Sequence, residues 1–347
     1  MQSVHSIWQV VDSRFYGGIE SHILYLASAL KESNMDVRVV FLRDYGAHPL
    51  KEKLDQAGII HFCCSGVESF LNLSAIKKPD LIHSHGYKAN LVCRLTRIRY
   101  NIPVVTSFHA GDSESWRLKL YTLLDRKTAF LASSVAVNAQ IASSVSGSIR
   151  VIDNFVPLPR LFCPPMSLKR IGFVGRLSHE KGPDRFLALA REFPRFDFNL
   201  YGDGPLATEL QEAAPSNVSF MGHQQSMQSA WRSMDLLCMP SRKEGLPLAA
   251  LEAMSHGIPV LCLDAGALPK LVINELNGWV VFGQHDEQQV VRKLAGKLDQ
   301  IQSANLAFFG QKARATIEKK FSPQALLPDF LSLYQQTVSA HPLEETA

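Results

Sequence analysis

The sequence predicts an α/β chain built as two doubly wound parallel-sheet domains. Three observations carry this. Apolar runs of four to eight residues alternate with amphipathic stretches of ten or more, the pattern of strands joined by helical crossovers. The alternation breaks once, at VPLPRLFCPPM, and restarts beyond it. No apolar run reaches the roughly 18 residues that a membrane-spanning helix needs.

In chain order, SIWQVV, VRVVFL, IIHFCC, DLIHSH, PVVTSFH, SVAVNA and IRVIDN read as buried strands, because strands covered by helices on both faces are apolar on both. After the first strand comes IESHILYLASALK, where Ile19, Ile23, Leu26, Ala27 and Leu30 share one helical face. Pro157, Pro159, Pro164 and Pro165 then crowd a short segment. No helix or inner strand accepts that density, so domains are expected over 1–160 and 161–325. RIGFVGR, DFNLYGDG, VSFMG, DLLCMPS, PVLCLD and GWVVF read as strands of the second domain. From Glu287 the pattern turns helical. LPDFLSLYQQTV sets Phe330, Leu331 and Tyr334 at helical spacing, and 326–347 is read as a terminal helix and tail. Such sheets bind ligands outside the carboxyl ends of their strands, so a cleft between the two is the expected site.

Composition narrows the function classes. Of 347 residues, 46% are apolar and 20% charged, which excludes a disordered or fibrous chain. The net charge of +4 is too small to imply a nucleic-acid partner. It is unevenly spread: residues 1–163 carry 18 Lys/Arg against 13 Asp/Glu, a balance of +5, and residues 164–347 carry 18 against 19, a balance of −1. MQSVHSIWQVVDSR has no basic stretch before an apolar core, so no export signal is read and a cytoplasmic protein is expected. The six cysteines form no CxxC pair, and Cys64, Cys238 and Cys262 fall in apolar runs. Buried free thiols in a reducing compartment are expected.

The most informative motif is EGLPLAALE. Glu244 precedes a helix that opens near Pro247 and stops at Gly257 and Pro259, and Glu252 falls in its second turn. Free amides from Gly245 to Leu248 and the helix dipole make a site for phosphate. Eight residues at 1.5 Å rise would set the two carboxylates about 12 Å apart if the segment were fully helical. That suits a ligand with a sugar at each end and a diphosphate between, since carboxylates accept from sugar hydroxyls. Two solvated glutamates at a helix start would show the same spacing.

The E-x7-E element resembles that of retaining glycosyltransferases of family 4, whose fold is the two-domain GT-B arrangement. VDSRFYGGIESH resembles the family's glycine-rich first loop, SFHA its central histidine motif, and VIDNFVPL stands where it has an Asn-Gly-Val segment. FVGRLSHEKGPDRFL, LYGDGPL, VSFMGH and PSRKEGLPLAALEAMSHGIPVL follow in the family's order, and FSPQALLPDFLSLY resembles the helix that crosses back to the first domain. The resemblance implies an acceptor-side domain over 1–160 and a donor-binding domain over 161–325. It implies that Arg176 and Lys181 grip the donor diphosphate, and two cations at a strand end are what a diphosphate needs without a metal. It sets Glu244 and His109 beside the transferred sugar and Glu252 on the ribose. Gly245, Leu246, Pro247 and Leu248 lie where backbone amides meet sugar and phosphates, although Pro247 has no N–H to give. Asp203 and Gly204 form a turn beneath the donor, Gly17 and Gly18 permit close approach, and Asn154 touches the donor. A strand-end cap would also account for His109, and a simple turn for Gly17 and Gly18. Two departures from the family stand out: Ala110 follows His109 where Asp is usual, and Phe155 follows Asn154 where Gly is usual.

The resemblance further implies a hexose or N-acetylhexosamine taken from a UDP- or GDP-sugar, with no cofactor. The acceptor is then a glycan or lipid-linked glycan of envelope polysaccharide or lipopolysaccharide synthesis. No D-x-D occurs, Asp112-Ser113-Glu114 being the nearest, and the twelve histidines are not read as a ligand cluster, so no metal is expected. KANLVCRLTRIRY adds Lys88, Arg94, Arg97 and Arg99, and WRLKLYTLLDRK adds Arg117, Lys119, Arg126 and Lys127, beside Trp116 and Tyr121. Such helices can rest on the anionic inner face of the cytoplasmic membrane, or be core helices with solvated basic edges. The rivals are a non-hydrolysing nucleotide-sugar epimerase of similar fold, a pyridoxal-phosphate sugar phosphorylase and a non-catalytic sugar-nucleotide-binding protein. Gly202-x-Gly204-x-x-Ala207 resembles a dinucleotide loop, but Gln224 stands where a ribose-binding acid would be.

Overall fold

The computed structural model describes residues 4–109, 116–283, 286–301 and 305–340, and for 116–118 the backbone only. Ala110 and Asp112-Ser113-Glu114 lie outside the described residues. The chain divides into two compact units. Unit 1 is Met1–Phe155 with Pro323–Ala347, and unit 2 is Val156–Ser322.

In unit 1, β1 (Ser6–Val11), β2 (Asp36–Phe41), β3 (Ile60–Cys63), β4 (Leu81–His85), β5 (Val104–Phe108), β6 (Ser133–Ala136) and β7 (Ile149–Val151) form one sheet. Its order is β3-β2-β1-β4-β5-β6-β7, and each pairing is parallel. β4 and β5 are buried at every residue. β3 is not, and Ile60 is 55% exposed. The expected buried strand is an edge strand, with a neighbour on one side only, so its apolar residues need not be covered. The helix Gly18–Glu32 buries Ile23, Leu26, Ala27 and Leu30, as its periodicity predicts, with Ile19 packed alongside. The helix Pro323–Ser339 sends Phe330 and Tyr334 into that same core beside Phe155. Burial of a side chain such as Phe330 contributes about 2–3 kcal/mol.

In unit 2, β8 (Arg170–Val174), β9 (Asp197–Tyr201), β10 (Val218–Gly222), β11 (Leu236–Met239), β12 (Val260–Leu263) and β13 (Gly278–Val281) form a sheet in the order β10-β9-β8-β11-β12-β13. Its pairings are parallel too. β10 is a half-exposed edge rather than a buried strand. Phe173, Phe186 and Phe198 centre its core. Each sheet reverses its direction of growth once, between β1 and β4 in unit 1 and between β8 and β11 in unit 2. Loops leaving the carboxyl ends there splay apart and open a crevice.

The chain leaves unit 1 at Phe155, ahead of the prolines. Phe155 is 1% exposed in the core of unit 1, whereas the Val156 amide donates to Phe321 O at 3.0 Å within unit 2. The proline segment belongs to unit 2, where Arg314 Nη2 donates to Pro159 O at 3.1 Å. The terminal helix starts at Pro323 and completes unit 1. Cys64, Cys93, Cys238 and Cys262 are buried and Cys63 and Cys163 exposed, so the expectation of buried thiols fails at two positions. Burial pushes the Cys238 thiol up to about 12, which leaves it protonated and inert. Among the described residues no helix is long and apolar enough to cross a membrane.

Candidate active site

The unit 2 crevice is built by backbone packed on backbone. A Cβ at Gly204, after β9, would lie 2.5 Å from Leu177 O in the loop after β8. The same loops are tied by Leu177 N to Asp203 O at 2.9 Å and Leu206 N to Leu177 O at 3.0 Å. Gly266, after β12, has φ +57°, and its Cβ would lie 1.8 Å from Glu244 O. Arg242 N and Lys243 N both donate to Glu180 O, joining the loops after β11 and β8. Loops held this closely leave little freedom to what they carry.

They carry Lys181 and Glu244. Lys181 Nζ donates to Glu244 Oε2 at 2.8 Å, and Ser241 Oγ donates to Oε1 at 2.8 Å. The carboxylate is 2% exposed and the lysine 29%, so the acid is committed and the cation still reaches solvent. Arg176 stands exposed on the loop after β8. Its field shows at Glu180, whose carboxyl lies below its usual range. Partial burial pushes that group up, but the Ser178 hydroxyl at 2.6 Å and the charges of Arg176 and Lys181 outweigh it. Asp203 is exposed and accepts from the Gly204 amide at 2.7 Å, closing the turn read in the sequence. The helix after Glu244 runs Leu248–Ser255, with Pro247 at its N-cap (φ −74°, ψ +125°) instead of inside it. The chain from Glu244 to Pro247 is therefore not helical, and the 1.5 Å rise does not measure the distance to Glu252. Leu246 and Leu248 are buried. Glu252 lies half-buried on the helix, and Gly245 O accepts from Ala267 N at 3.0 Å.

In unit 1 side chains, not backbone, meet at the carboxyl ends of β4 and β5. His22 comes from the helix Gly18–Glu32, His83 and His85 from β4, and His109 from the end of β5. His85 Nδ1 and His109 Nε2 are 3.3 Å apart. The His22 ring lies 5.1 Å from that of His109 and 5.5 Å from that of His85. One nitrogen from each of His22, His85 and His109 falls within 4.8 Å of the others. This overturns the reading that the histidines do not cluster. Residues i and i+2 of a strand share a face, and the neighbouring strand end and the covering helix supply the rest. Such a trio is a donor set that could hold a divalent metal. Burial drives the His22 pKa down to about 4, against a raising hydrogen bond from Asn154. Burial first, then neighbouring imidazoles, hold His83, His85 and His109 well below 6.5. All four are neutral at pH 7. His83 is fixed at both nitrogens, to Tyr334 OH and Ser107 Oγ, each at 2.7 Å. Asn154 thus lies in unit 1 beside His22, and Phe155 packs in the core. Gly17 (φ −157°) is the N-cap of its helix, and its amide donates to Glu20 Oε2 at 2.8 Å. Neither Gly17 nor Gly18 has a left-handed backbone, and a Cβ at Gly18 would meet nothing within 4 Å. A turn therefore does not require these glycines.

The family model for glycosyltransferase family 4 matches residues 16–160, and that for group 1 glycosyl transferases matches residues 168–300. The chain belongs to these glycosyltransferases. Among relatives, it is 25% identical to D-inositol 3-phosphate glycosyltransferase of Mycolicibacterium smegmatis, over 78% of this chain and 76% of that one. It is 27% identical to the Mycobacterium bovis protein of that name, over 90% and 75%. Among solved structures, it resembles sucrose-phosphate synthase of Thermosynechococcus elongatus (TM-score 0.78, 19% identity, covering 97% and 100%). It also resembles Anabaena HepE in complex with UDP-glucose (TM-score 0.77, 19%, 96% and 98%). The fold is therefore GT-B.

This glycosyltransferase carries fewer free cations on its first unit than the sequence suggests. Lys88 pairs with Asp12 at 2.7 Å, and Arg94 is buried against Asp125 at 2.8 Å. Burial lifts the Asp125 pKa to about 6 in spite of Arg94. Arg97 is spent on Leu131 O. Arg99, Lys119 and Lys127 remain exposed, with Leu95, Ile98, Leu120, Leu123, Leu124 and Phe130 also open to solvent. The side chain of Arg117 lies outside those described. Sequence reasoning missed His22, the bond of Tyr334 to His83, and Ser241, although Ser241 stands only three residues before the Glu244 it bonds.

Proposed function

We propose that this glycosyltransferase moves a hexose or N-acetylhexosamine from a UDP- or GDP-sugar to a glycan or lipid-linked glycan. The transfer proceeds with retention and without a metal or other cofactor. The observation that carries the reading is Lys181 held on Glu244 at the switch point of unit 2, beside exposed Arg176. As the sugar–phosphate bond breaks, charge grows on the departing diphosphate. Arg176, Lys181 and the amides near Gly245, Leu246 and Leu248 stabilise it. The bond from the acceptor oxygen to the anomeric carbon forms on the same face, and the leaving phosphate oxygen takes the acceptor proton. Glu244 fixes Lys181 and lies near the sugar, Glu252 takes the ribose, and the Asp203–Gly204 turn lies beneath the donor. Neutral His109 donates one hydrogen bond and accepts another. Gly17 and Gly18 leave room for ligand atoms, and Asn154 acts by orienting His22.

The UDP-glucose of the HepE complex supports a uridine nucleotide. The name of WaaB, a lipopolysaccharide outer core galactosyltransferase of the same fold, supports an envelope acceptor. The exposed cations and apolar side chains on the helices Tyr87–Tyr100 and Trp116–Lys127 support peripheral attachment to an anionic inner membrane face, with no nucleic-acid role. Flotation with anionic vesicles at low salt tests this, and no binding removes it.

Lys181→Ala is expected to lower transfer by 10²–10³-fold, the scale of losing one group that stabilises developing charge. It also strands a buried carboxylate, so Lys181→Ala/Glu244→Gln serves as the companion that folds. Full activity in either variant would sink the donor assignment. Product NMR reports the anomeric configuration, and inversion would remove the retaining mechanism. Epimerisation of a nucleotide sugar without acceptor would favour the epimerase.

A further inference from the structure

The loops after β1 and β2 of unit 1 bring two arginines to one tyrosine. The Arg14 guanidinium carbon lies 4.7 Å from the centre of the Tyr45 ring, and that of Arg43 lies 5.9 Å from it. With Asp44 these residues line a shallow hollow, open to solvent, of ≈ 530 Å³. The carboxylates nearby are already engaged. Asp12 takes Lys88 Nζ at 2.7 Å and the Tyr45 hydroxyl at 3.0 Å, and Asp44 takes Lys51 Nζ at 2.6 Å. Among the described residues neither Arg14 nor Arg43 has a carboxylate partner. Four cations thus face two acids, and the excess charge sits on the two exposed guanidinium groups at this hollow. Like charges on one ring repel each other, and an anion between them relieves that repulsion. Each guanidinium presents a planar fork of donors that matches an oxyanion in bidentate fashion. Phe15, next to Arg14, is 83% exposed, an apolar ring of the kind that stacks on the C–H face of a sugar.

We propose that Arg14 and Arg43 form an anion subsite on the carboxyl side of β1 and β2, and that it takes a phosphate or carboxylate group of a sugar acceptor. The proposal rests on the transferase reading, and it makes the acceptor anionic. Tyr45 is a positioning residue that holds the two forks in place and is itself tied to Asp12.

The test is calorimetric titration of the full chain at low salt, with the donor site saturated by UDP. The probes are glucose 6-phosphate, glucuronate and glucose. At least one anionic sugar is expected to bind ten-fold or more tightly than glucose, and Arg14→Ala/Arg43→Ala is expected to abolish the difference. The better of the two anions tells phosphate from carboxylate. Both arginines are exposed, so the double variant should keep the melting temperature and the UDP affinity of the parent. Equal binding of all three sugars, or anion binding undiminished in the double variant, overturns the subsite. Failure of the parent to bind UDP would count against the transferase reading instead, and the sugar titration without UDP would still decide the subsite.

Discussion

The two units repeat one strand order and use it differently. In unit 2 the crevice loops touch main chain to main chain, through Gly204 and Gly266, and hold one lysine on one buried carboxylate. In unit 1 side chains meet instead, the imidazoles of His22, His85 and His109, and a Cβ at Gly18 would meet nothing within 4 Å. The same topology thus holds an ion pair on backbone-packed loops in one unit and a buried neutral imidazole cluster in the other. A diphosphate is the same in every nucleotide sugar and suits fixed cations. An acceptor hydroxyl must be neutral until it reacts, and neutral hydrogen-bonding groups suit it.

Acid should separate the units most. Four histidines of unit 1, His22, His83, His85 and His109, fold as neutral groups with pKa values below the unfolded 6.5. The unfolded chain therefore binds more protons as pH falls, and stability present above 6.5 is lost below it. His22 alone, at about 4, would cost about 3 kcal/mol between pH 6.5 and 4. Melting followed through unit 1 should fall steeply across that window. A flat profile would show that the imidazoles are not buried as neutral groups.

Backbone contact gives the next largest difference. Gly266→Ala forces a Cβ into Glu244 O and should destabilise unit 2 by about 2 kcal/mol. Gly18→Ala should change stability by no more than about 0.5 kcal/mol yet lower transfer, because the space it fills is the ligand's. If both variants behave alike in thermal unfolding and in rate, the contrast between the crevices is lost. The smallest expected effect is that of chelation. Dialysis against EDTA should leave the rate unchanged. Loss restored by zinc would assign a metal to His22, His85 and His109 and end the metal-free mechanism.

The thirteen strands among the described residues were legible because each is a short apolar run between breakers, and strand type survives ignorance of neighbours. Which of them lie at an edge was not, since IIHFCC and VSFMG look as apolar as central strands until the order is known. The prolines marked a real irregularity, but its docking on unit 2 depends on Arg314, over a hundred residues away. Lys181 and Glu244 were legible one by one through motifs. Their bond to each other was not, since it spans two loops. The histidine cluster failed for the same reason. His22, His85 and His109 are far apart in sequence, and only strand order and the covering helix bring them together.

The helix Pro323–Ser339 has one more consequence, for the order of synthesis. Unit 2 is continuous in sequence and can fold as soon as residue 322 clears the ribosome. Unit 1 has seven strands waiting since residue 155, but it lacks Phe330, Leu333 and Tyr334 until the helix emerges. Its apolar face and the open nitrogen of His83 must stay exposed through the translation of 167 intervening residues. At roughly 5–20 residues per second that is on the order of ten to thirty seconds. The first unit begun is the last finished, and chaperone demand should fall on that interval.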